Sequence, residues 1–410
     1  MRILHVHKYY HNHDGAGRYM FDVMRLQEQA GHVVAIFAMH DARNAPSVWD
    51  KYFVSALDTT RFSCGLNGLF QFARALWSFE AKRKLRTLLR AFRPDVVHLH
   101  NAYTHLSPSV LSACRAEGVP VVMTVHDYAL ISANYGLWDG QQKLTPDRLS
   151  LLRVTGSRFI KGSYLATFIL ECITRLHRSL KLYDRAIEVY LPSSVFVRET
   201  LVAGGYALRK MRVLPLFAGN LLPEVSIPEP TEPRRGILFA GRLEDYKGIG
   251  LFLQAVEAFP ELQFFIAGTG PLEFEVLQSC LKYKNLEYLG FFKSAAELWA
   301  KMAQVELVVV PSVWPEPFGL VAIEAMACGT PVLVSDSGGL PEKVKDGVNG
   351  MVFKSGEIQD LTAKIKMAFK HRGELARLGQ GAWRYARAQA DPNKHISKLQ
   401  QIYDEVVIHR

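Results

Sequence analysis

The amino-acid sequence predicts an α/β protein made of two doubly wound, Rossmann-like domains. Short apolar runs alternate with helical patterns, as where a strand at 2–6 precedes a helix from Arg18 to Ala30, and this alternation is typical of parallel sheets. The chain has 410 residues, more than one compact core ordinarily serves. A proline-rich segment, 221–235, interrupts the alternation before it starts again. We therefore expect two domains that face each other across a cleft.

The first half contains five predicted strands. They are 2–6, 32–38, 96–100, 119–125 and 190–191. The apolar spacing predicts helices at 18–30, 69–92, 109–116, 162–189 and 195–202. Gly31 and Gly118 end two of these helices, and Ser194 caps the last. Residues 132–160 show no regular pattern.

The second half repeats the pattern and ends in helices. Its predicted strands are 236–240, 262–267, 286–289, 305–310 and 331–334, and its final helices lie near 357–371, 373–389 and 394–408. The predicted domains are 1–220 and 236–388, joined by the linker 221–235. The last segment, 389–410, is a predicted helix that packs back on the N-terminal domain. Ligands of open α/β sheets bind at the carboxyl ends of the strands, so the loops there are the candidate sites.

Basic residues are concentrated in two stretches of the first half. Hydrophobic and charged contents of 49% and 21% are ordinary for a globular protein, but the net charge is +10. Residues 61–93 hold eight Lys/Arg and one acid, and residues 151–212 hold eleven and four. Such clusters favour an anionic partner, namely phospholipid, a lipid diphosphate or nucleic acid. Because the stretches contain no nucleic-acid-binding motif, we expect no nucleic acid partner.

The five cysteines and the apolar runs indicate a cytoplasmic location. The cysteines are scattered and odd in number, which favours a reducing compartment and argues against a zinc site. The apolar run at 1–6 is too short for a signal peptide, and no run approaches the ~20 residues that span a bilayer. The predicted helix 162–189 mixes apolar and basic residues, which suits an interfacial helix on an anionic membrane. A core helix with a charged outer face is the alternative.

Two glutamates lie eight residues apart, where a buried strand leads into a helix. Glu316 precedes the helix, and Glu324 lies within it among apolar neighbours such as Ile323 and Met326. A carboxylate in that setting is costly unless it has a partner or a task. The free N–H groups at the start of the helix, beside Gly319, suit a phosphate. Together these features suggest a site for a sugar nucleotide.

Two further loops of the second half offer ligand-binding groups. Arg242 and Lys247 flank a turn after the first strand, where two cations match a diphosphate. A solvated charged loop is the alternative there. Thr269 and Gly270 follow the second strand, where glycines allow the backbone to approach a base or ribose. A simple glycine turn before the helix explains this segment equally well.

The loops of the first half exclude some classes and offer one histidine. The triplet Gly15-Ala16-Gly17 lacks the third glycine of a dinucleotide fingerprint, since Met20 occupies that place, so we expect no nicotinamide cofactor. No P-loop motif is present. His126 ends the fourth strand and faces the predicted cleft. His98 and His100 alternate in a strand and are expected to be satisfied core or edge histidines rather than ligands.

These motifs occur in the order seen in retaining glycosyltransferases of family 4, which have the GT-B fold. The chain resembles that family over nearly its whole length, through the glycine triplet, His126, the Arg242–Gly248 and Gly268–Pro271 loops and the Glu316–Glu324 stretch. Residues of the first half, among them 95–101 and 106–111, look like bacterial members that build surface polysaccharides.

The resemblance implies a role for each candidate residue. Arg242 and Lys247 would bind the donor diphosphate and stabilise the leaving nucleotide. Glu316 would contact sugar hydroxyls, Glu324 the ribose, and His126 the transferred sugar. The implied diphosphate contacts are the amides of Phe318, Gly319 and Leu320 together with Gly15, Ala16 and Gly17. Thr269, Gly270 and Phe291 would lie near the base.

The resemblance also implies the reaction. A hexose would pass, with retention, from a UDP- or GDP-sugar to a lipid-linked or polysaccharide precursor at the cytoplasmic membrane face. The nucleotide sugar would be a substrate, and no cofactor is expected. Because no Asp-x-Asp motif occurs, we expect no divalent metal at the diphosphate. The alternatives are an epimerase or a soluble disaccharide-phosphate synthase of the same fold, and a non-catalytic scaffold that binds membrane or a partner.

Overall fold

Two units make up the chain in the computed structural model, which describes residues 1–12, 14–57, 66–218 and 233–408. The first unit comprises Met1–Pro215 with Asn393–Arg410, and the second comprises Leu216–Pro392. Each unit contains a parallel sheet with helices. Most of the predicted linker 221–235 lies outside the described residues.

The sheet of the first unit has five parallel strands in the order β2-β1-β3-β4-β5. The strands are β1 (Arg2–Val6), β2 (Val33–Phe37), β3 (Val96–Leu99), β4 (Val121–Val125) and β5 (Val189–Pro192). All residues of β3 and β4 are buried, as expected for parallel strands covered on both faces. The strand order reverses beside β1, because β2 lies on one side of it and β3 on the other.

Nine helices of the described first unit surround this sheet. They are α1 (Gly15–Gln29), α2 (Leu66–Leu76), α3 (Phe79–Phe92), α4 (Tyr103–Leu106), α5 (Ser109–Ala116), α6 (Leu151–Gly156), α7 (Tyr164–Ser179), α8 (Val195–Ala203) and, at the end of the chain, the helix Pro392–Ile408. In that final helix Leu399 and Tyr403 are buried.

Two helical predictions were too long. The predicted helix 69–92 is two helices, because extended Ser78 interrupts it and caps α3 by accepting a hydrogen bond from the Ala81 amide at 3.1 Å. The predicted helix 162–189 ends at Ser179, and Lys181 then adopts φ +52°, which a right-handed helix does not allow. The segment 132–160, predicted to be irregular, contains the short helix α6.

The sheet of the second unit has six parallel strands in the order β11-β10-β9-β6-β7-β8. The strands are β6 (Ile237–Ala240), β7 (Phe264–Ala267), β8 (Leu286–Gly290), β9 (Leu307–Val310), β10 (Val332–Ser335) and β11 (Met351–Phe353). The sequence did not reveal β11, because three residues are too few to show a period. The strand order reverses between β6 and β9.

Six further helices complete the second unit as described. They are α9 (Ile249–Ala258), α10 (Glu273–Lys282), α11 (Ala295–Gln304), α12 (Leu320–Ala327), α13 (Ile358–Lys370) and α14 (Arg372–Gln389); the final helix of the chain, Pro392–Ile408, is α15. Phe252 of α9 is fully buried, with its ring 5.6 Å from that of Phe239 and 5.5 Å from that of Phe264. Among the described helices, none is long and apolar enough to cross a membrane.

We expect Phe252→Ala to lower the free energy of unfolding of the second unit by about 3–5 kcal/mol, because it leaves a cavity between two aromatic rings. Urea unfolding followed by fluorescence measures this change. Phe274→Ala on α10 is the matched control, since that side chain is 68% exposed, and it should change stability by less than about 0.5 kcal/mol. Equal effects of the two substitutions would contradict this description of the core.

Candidate active site

The candidate residues of the second unit meet where its strand order reverses. The loop after β6 carries Lys247, and the loop after β9 carries Glu316. Since β6 and β9 are neighbours in a parallel sheet, their carboxyl ends lie side by side. The Lys247 Nζ atom lies 2.7 Å from Glu316 Oε2. Parallel pairing therefore brings together two charges that are 69 residues apart in sequence.

Glu316 is a buried carboxylate whose charge is well compensated. Its Oε2 atom also accepts hydrogen bonds from Ser312 Oγ at 3.0 Å and Trp314 Nε1 at 2.8 Å. Burial alone would raise the pKa of Glu316, but the Lys247 ammonium and these donors hold it below its ordinary value. All three bonds use Oε2, so Oε1 is left to accept from a ligand hydroxyl.

Trp314 was missed by the sequence interpretation. Its indole ring lies 4.6 Å from Lys247 Nζ, a cation–π contact, and 5.1 Å from the Tyr246 ring. The indole thus fixes both members of the ion pair, through its face toward Lys247 and its N–H toward Glu316. A tryptophan two residues before a candidate acid was a usable signal, since this spacing lets the indole N–H reach the carboxylate.

Arg242 and Lys247 differ in exposure and in contacts, although the sequence predicted that both would bind the same diphosphate. The Arg242 side chain is 66% exposed and lies 2.6 Å from Glu244 Oε1. The Lys247 side chain is 22% exposed. Arg242 is thus largely exposed and paired with Glu244, whereas Lys247 is half-buried and held in place by Glu316 and Trp314.

The start of α12 is held by a buried lysine. Gly319 precedes α12 with φ +80°, and a side chain there would overlap Leu340. The Lys343 Nζ atom donates to the Phe318 carbonyl and, at 2.7 Å, to the Gly339 carbonyl. Burial lowers the pKa of Lys343 to about 7. Lys343 thus ties the loop before Leu320 to the loop after β10, a role that no sequence pattern indicated.

Glu324 lies within α12 and is 2% exposed. Its neighbours Ala322, Ile323 and Ala325 are also buried, as the sequence predicted. The structure therefore places this carboxylate in the buried, apolar setting that the sequence predicted. It places Glu324 about one turn into the helix whose start carries Gly319.

The glycines after β7 allow the loop that contains them to pack closely on a second loop. A side chain at Gly270 would overlap the Leu243 carbonyl, and the Leu243 amide donates to the Thr269 carbonyl at 3.0 Å. The close approach that Gly270 allows is thus to the loop after β6. After β8, Phe291 is 58% exposed.

In the first unit, the triplet Gly15-Ala16-Gly17 is the first turn of α1 rather than part of a loop. Asp14 caps this helix, and its Oδ1 atom accepts from the Gly17 amide at 2.7 Å. The sequence interpretation missed this cap, although aspartate is a preferred residue before a helix. Burial alone would raise the pKa of Asp14, but the Lys8 charge and other groups hold it below its ordinary value.

His126 follows β4 directly and is partly buried. Its Nε2 atom lies 3.1 Å from His100 Nδ1, and its ring centroid lies 5.4 Å from that of Tyr19. Burial lowers the pKa of His126 to about 3, so the ring is neutral near pH 7. His98 and His100 are fully buried and hydrogen-bonded, as the sequence predicted.

His5, His98 and His100 form a cluster whose ligand atoms lie within 4.8 Å of one another, close enough to hold a metal ion. Both ring nitrogens of each histidine already have hydrogen-bond partners. The partners outside the cluster are Gln27, Tyr403, Thr124 and His126. A metal ion would have to displace these partners, so the cluster is a hydrogen-bond network.

Two family models match the chain. Residues 13–164 match "Glycosyltransferase Family 4" and residues 226–384 match "Glycosyl transferases group 1". Together the two models cover about three quarters of the chain. Both halves of the chain thus match glycosyltransferase domains. The chain is a member of the family 4 type of glycosyltransferases, with the GT-B fold.

Individual relatives are distant but cover the chain. Glycogen synthase of Mycobacterium tuberculosis is 24% identical over 415 residues, which span 95% of this chain and 90% of that protein. Anabaena Alr3699/HepE, solved in complex with UDP and glucose, superposes with a TM-score of 0.69 at 18% identity, over 99% of this chain and 100% of that one. Sucrose-phosphate synthase of Thermosynechococcus elongatus gives 0.71 at 18% identity, over the full length of both. At this identity the solved structures establish the fold.

We expect stability to fall as the pH decreases from 6.5 toward 4. Burial lowers the pKa values of His5 and His7 to about 4, from 6.5 in the unfolded chain. Between these values the unfolded state binds more protons, so each histidine contributes up to about 1.4 kcal/mol of lost stability per pH unit. Above pH 6.5 both states are neutral at these rings, and this contribution is constant.

Urea unfolding at pH 7, 6 and 5 measures this slope. His7→Asn should flatten it, because asparagine cannot take up the proton but can still donate to the Tyr9 carbonyl that His7 Nδ1 contacts at 2.8 Å. His371→Asn, at an exposed histidine, is the matched control. An unchanged slope in His7→Asn would show that His7 does not titrate as described.

Proposed function

We propose that this glycosyltransferase moves a hexose, with retention, from a UDP- or GDP-sugar to a lipid-linked or polysaccharide precursor at the cytoplasmic membrane face. The observation that carries the donor part is the Lys247–Glu316 pair. A fixed cation and a buried carboxylate meet at the reversal of the strand order, where open α/β sheets bind their ligands. The UDP and glucose bound to Anabaena Alr3699/HepE support a nucleotide-sugar donor.

Each half of the donor has a chemically matched partner in this proposal. The nucleoside diphosphate leaving group gains negative charge in the transition state, and Lys247 with Arg242 would stabilise that charge. Lys247 is already in position, so little reorganisation is needed. Glu316, with Oε1 open, would accept a hydrogen bond from a sugar hydroxyl. The amides at Phe318, Gly319 and Leu320 would meet the diphosphate at the start of α12.

The proposal also assigns residues to the nucleoside and a course to the reaction. Glu324 would bind the ribose, and Thr269, Gly270 and exposed Phe291 would lie near the base. The two glutamates have different assigned partners on the donor, so they are not a glycosidase pair. Front-face attack, in which the leaving phosphate takes the acceptor proton, would account for retention. We propose that Lys247 and Arg242 do the electrostatic work without a divalent metal.

We expect Lys247→Ala to lower kcat/KM by about a hundredfold or more, because it removes the fixed positive charge from the developing anion. Release of UDP or GDP from matched nucleotide sugars, in the presence of a membrane extract as acceptor, measures this. Lys354→Ala is the control, since the Lys354 side chain is 71% exposed. Wild-type kcat/KM in Lys247→Ala would refute the site.

The same assay separates an enzyme from a scaffold and identifies the donor. A scaffold would bind without releasing nucleotide, and an epimerase would interconvert the sugars without an acceptor. Thermal unfolding in the presence of UDP-, GDP- and dTDP-sugars would identify the base, because a ligand that binds the folded state raises the apparent stability.

The membrane part of the proposal rests on exposed apolar side chains of the first unit. They are Leu69 and Phe70 on α2, Leu152 on α6, and Tyr164, Leu165, Phe168 and Leu176 on α7. The helices α2 and α7 pack together, with His177 Nε2 2.9 Å from the Leu76 carbonyl. Arg158 and Lys161 are exposed just before α7, and the Arg158 guanidinium lies 4.1 Å from the Tyr164 ring centroid.

Two cations of α7 make contacts within the first unit instead. Arg175 lies 2.8 Å from Glu171 Oε1, and Arg178 donates to the carbonyls of Ile131 and Gly204 at 2.8 Å. Exposed Arg158 and Lys161, next to the apolar side chains of α7, are the cations proposed to meet lipid headgroups. This combination of exposed apolar and basic residues suits an anionic bilayer surface.

We expect the protein to co-sediment with phosphatidylglycerol vesicles at low salt and to bind phosphatidylcholine vesicles much more weakly. The double substitution Leu165→Ser with Phe168→Ser should abolish the binding, because it removes two exposed apolar anchors. Leu281→Ser on α10 is the control at a leucine that is 82% exposed. Equal binding of wild type and the double variant would refute this surface.

A further inference from the structure

A continuous hydrogen-bond network crosses the first unit and ends at His126. Its members, in order, are the Pro215 carbonyl, His395, Tyr19, Thr124, His98, Tyr403, Gln27, His5, His100 and His126. From His395 to His100, all of these side chains are at most 5% exposed. A hydrogen bond has a donor and an acceptor, so a continuous network of neutral groups has a direction.

The Pro215 carbonyl sets this direction because it can only accept. His395 Nδ1, 3.0 Å away, must therefore donate to it. Burial lowers the pKa of His395 to about 4, so the neutral ring presents Nε2 as an acceptor, and the Tyr19 hydroxyl donates to it at 2.8 Å. The only proton of that hydroxyl is then used, so in the bond between Tyr19 and Thr124 it is Thr124 that donates.

The direction continues through the buried core. Since the Thr124 hydroxyl proton is used, its oxygen accepts from His98 Nε2 at 2.7 Å. Burial keeps His98 neutral by lowering its pKa, so His98 Nδ1 accepts from the Tyr403 hydroxyl at 2.6 Å. The Tyr403 oxygen then accepts from Gln27 Nε2 at 3.2 Å. This assignment turns the Gln27 Oε1 atom toward His5.

The last three members are histidines, and in each ring one nitrogen donates a hydrogen bond while the other accepts one. His5 Nε2 donates to Gln27 Oε1 at 2.8 Å, and His5 Nδ1 accepts from His100 Nε2 at 3.0 Å. His100 Nδ1 accepts from His126 Nε2 at 3.1 Å. Burial lowers the pKa of each of these rings, so none carries a second proton near pH 7. The remaining ring nitrogen, His126 Nδ1, is an acceptor.

We propose that this network fixes His126 as its Nε2–H tautomer and thereby presents Nδ1 as a hydrogen-bond acceptor to a hydroxyl of the transferred sugar. Gln27, Tyr403 and His395 are positioning residues, because they act on the sugar through His126. The assignment of the sugar as the partner rests on the proposed function. An acceptor at this place favours a neutral, hydroxylated sugar and disfavours a carboxylate or phosphate, which brings only acceptors.

The tautomer can be measured without any sugar. In the full chain labelled with [15N]histidine, ring nitrogen shifts and two-bond proton–nitrogen correlations distinguish a protonated from an unprotonated nitrogen, and His126→Gln identifies the signals. We expect an unprotonated Nδ1 and a protonated Nε2 for His126 from pH 8 to 6. A protonated Nδ1 at pH 8, or a second proton taken up in this range, would overturn the proposal.

Tyr403→Phe tests whether the network sets the tautomer. It removes one hydroxyl far along the network, so Gln27 can turn and His126 should show both tautomers. The kcat/KM should fall about fivefold, as for the loss of one hydrogen bond of ordinary strength. Tyr206→Phe is the matched control, since it removes a buried hydroxyl that donates to the Leu130 carbonyl at 2.8 Å outside the network.

The outcomes separate the network from the proposed function. Wild-type tautomer and activity in Tyr403→Phe would overturn the proposed network, as would equal effects in Tyr206→Phe. A wild-type chain that shows the expected tautomer but transfers no sugar would refute the proposed function and still support the network.

Discussion

Parallel strand pairing is the constraint on which both units depend. In a parallel sheet all strands end at the same edge, so the loops that follow them are brought together whatever their distance in sequence. Where the strand order reverses, two such loops diverge and leave space between them. In the second unit this is the place of Lys247 and Glu316. The site is thus a consequence of topology, and the chemistry is added by a few side chains.

Burial of ionisable groups is the second constraint, and the two units meet it differently. The second unit keeps a charge on Glu316 by surrounding one carboxylate oxygen with three donors, one of them Lys247. The first unit keeps its histidines neutral and joins them into hydrogen bonds. A charged pair suits a site that binds an anionic leaving group, whereas a neutral network suits a site that orients a hydroxyl.

Local patterns predicted most elements because each depends on nearby residues. The buried strands appear as apolar runs, and capping residues mark several helix starts. The errors also have local causes. Ser78 divides one predicted helix through a single cap, Lys181 follows the early end of another in a left-handed conformation, and β11 is too short to show a period. In the glycine triplet, Asp14 turned an expected loop into the first turn of α1.

The sequence by itself determined the two-domain α/β class, the candidate loops and the improbable glutamate at position 324, because strand periodicity, glycine turns and misplaced charges are visible along the chain. Only the tertiary structure decided which groups meet. It joined Lys247 to Glu316, brought the Trp314 indole into contact with both, and brought Lys343 to the start of α12. It also connected Pro215 to His126 through residues from both ends of the chain. Hydrogen-bond direction depends on partners that are distant in sequence, so no local pattern could have revealed it.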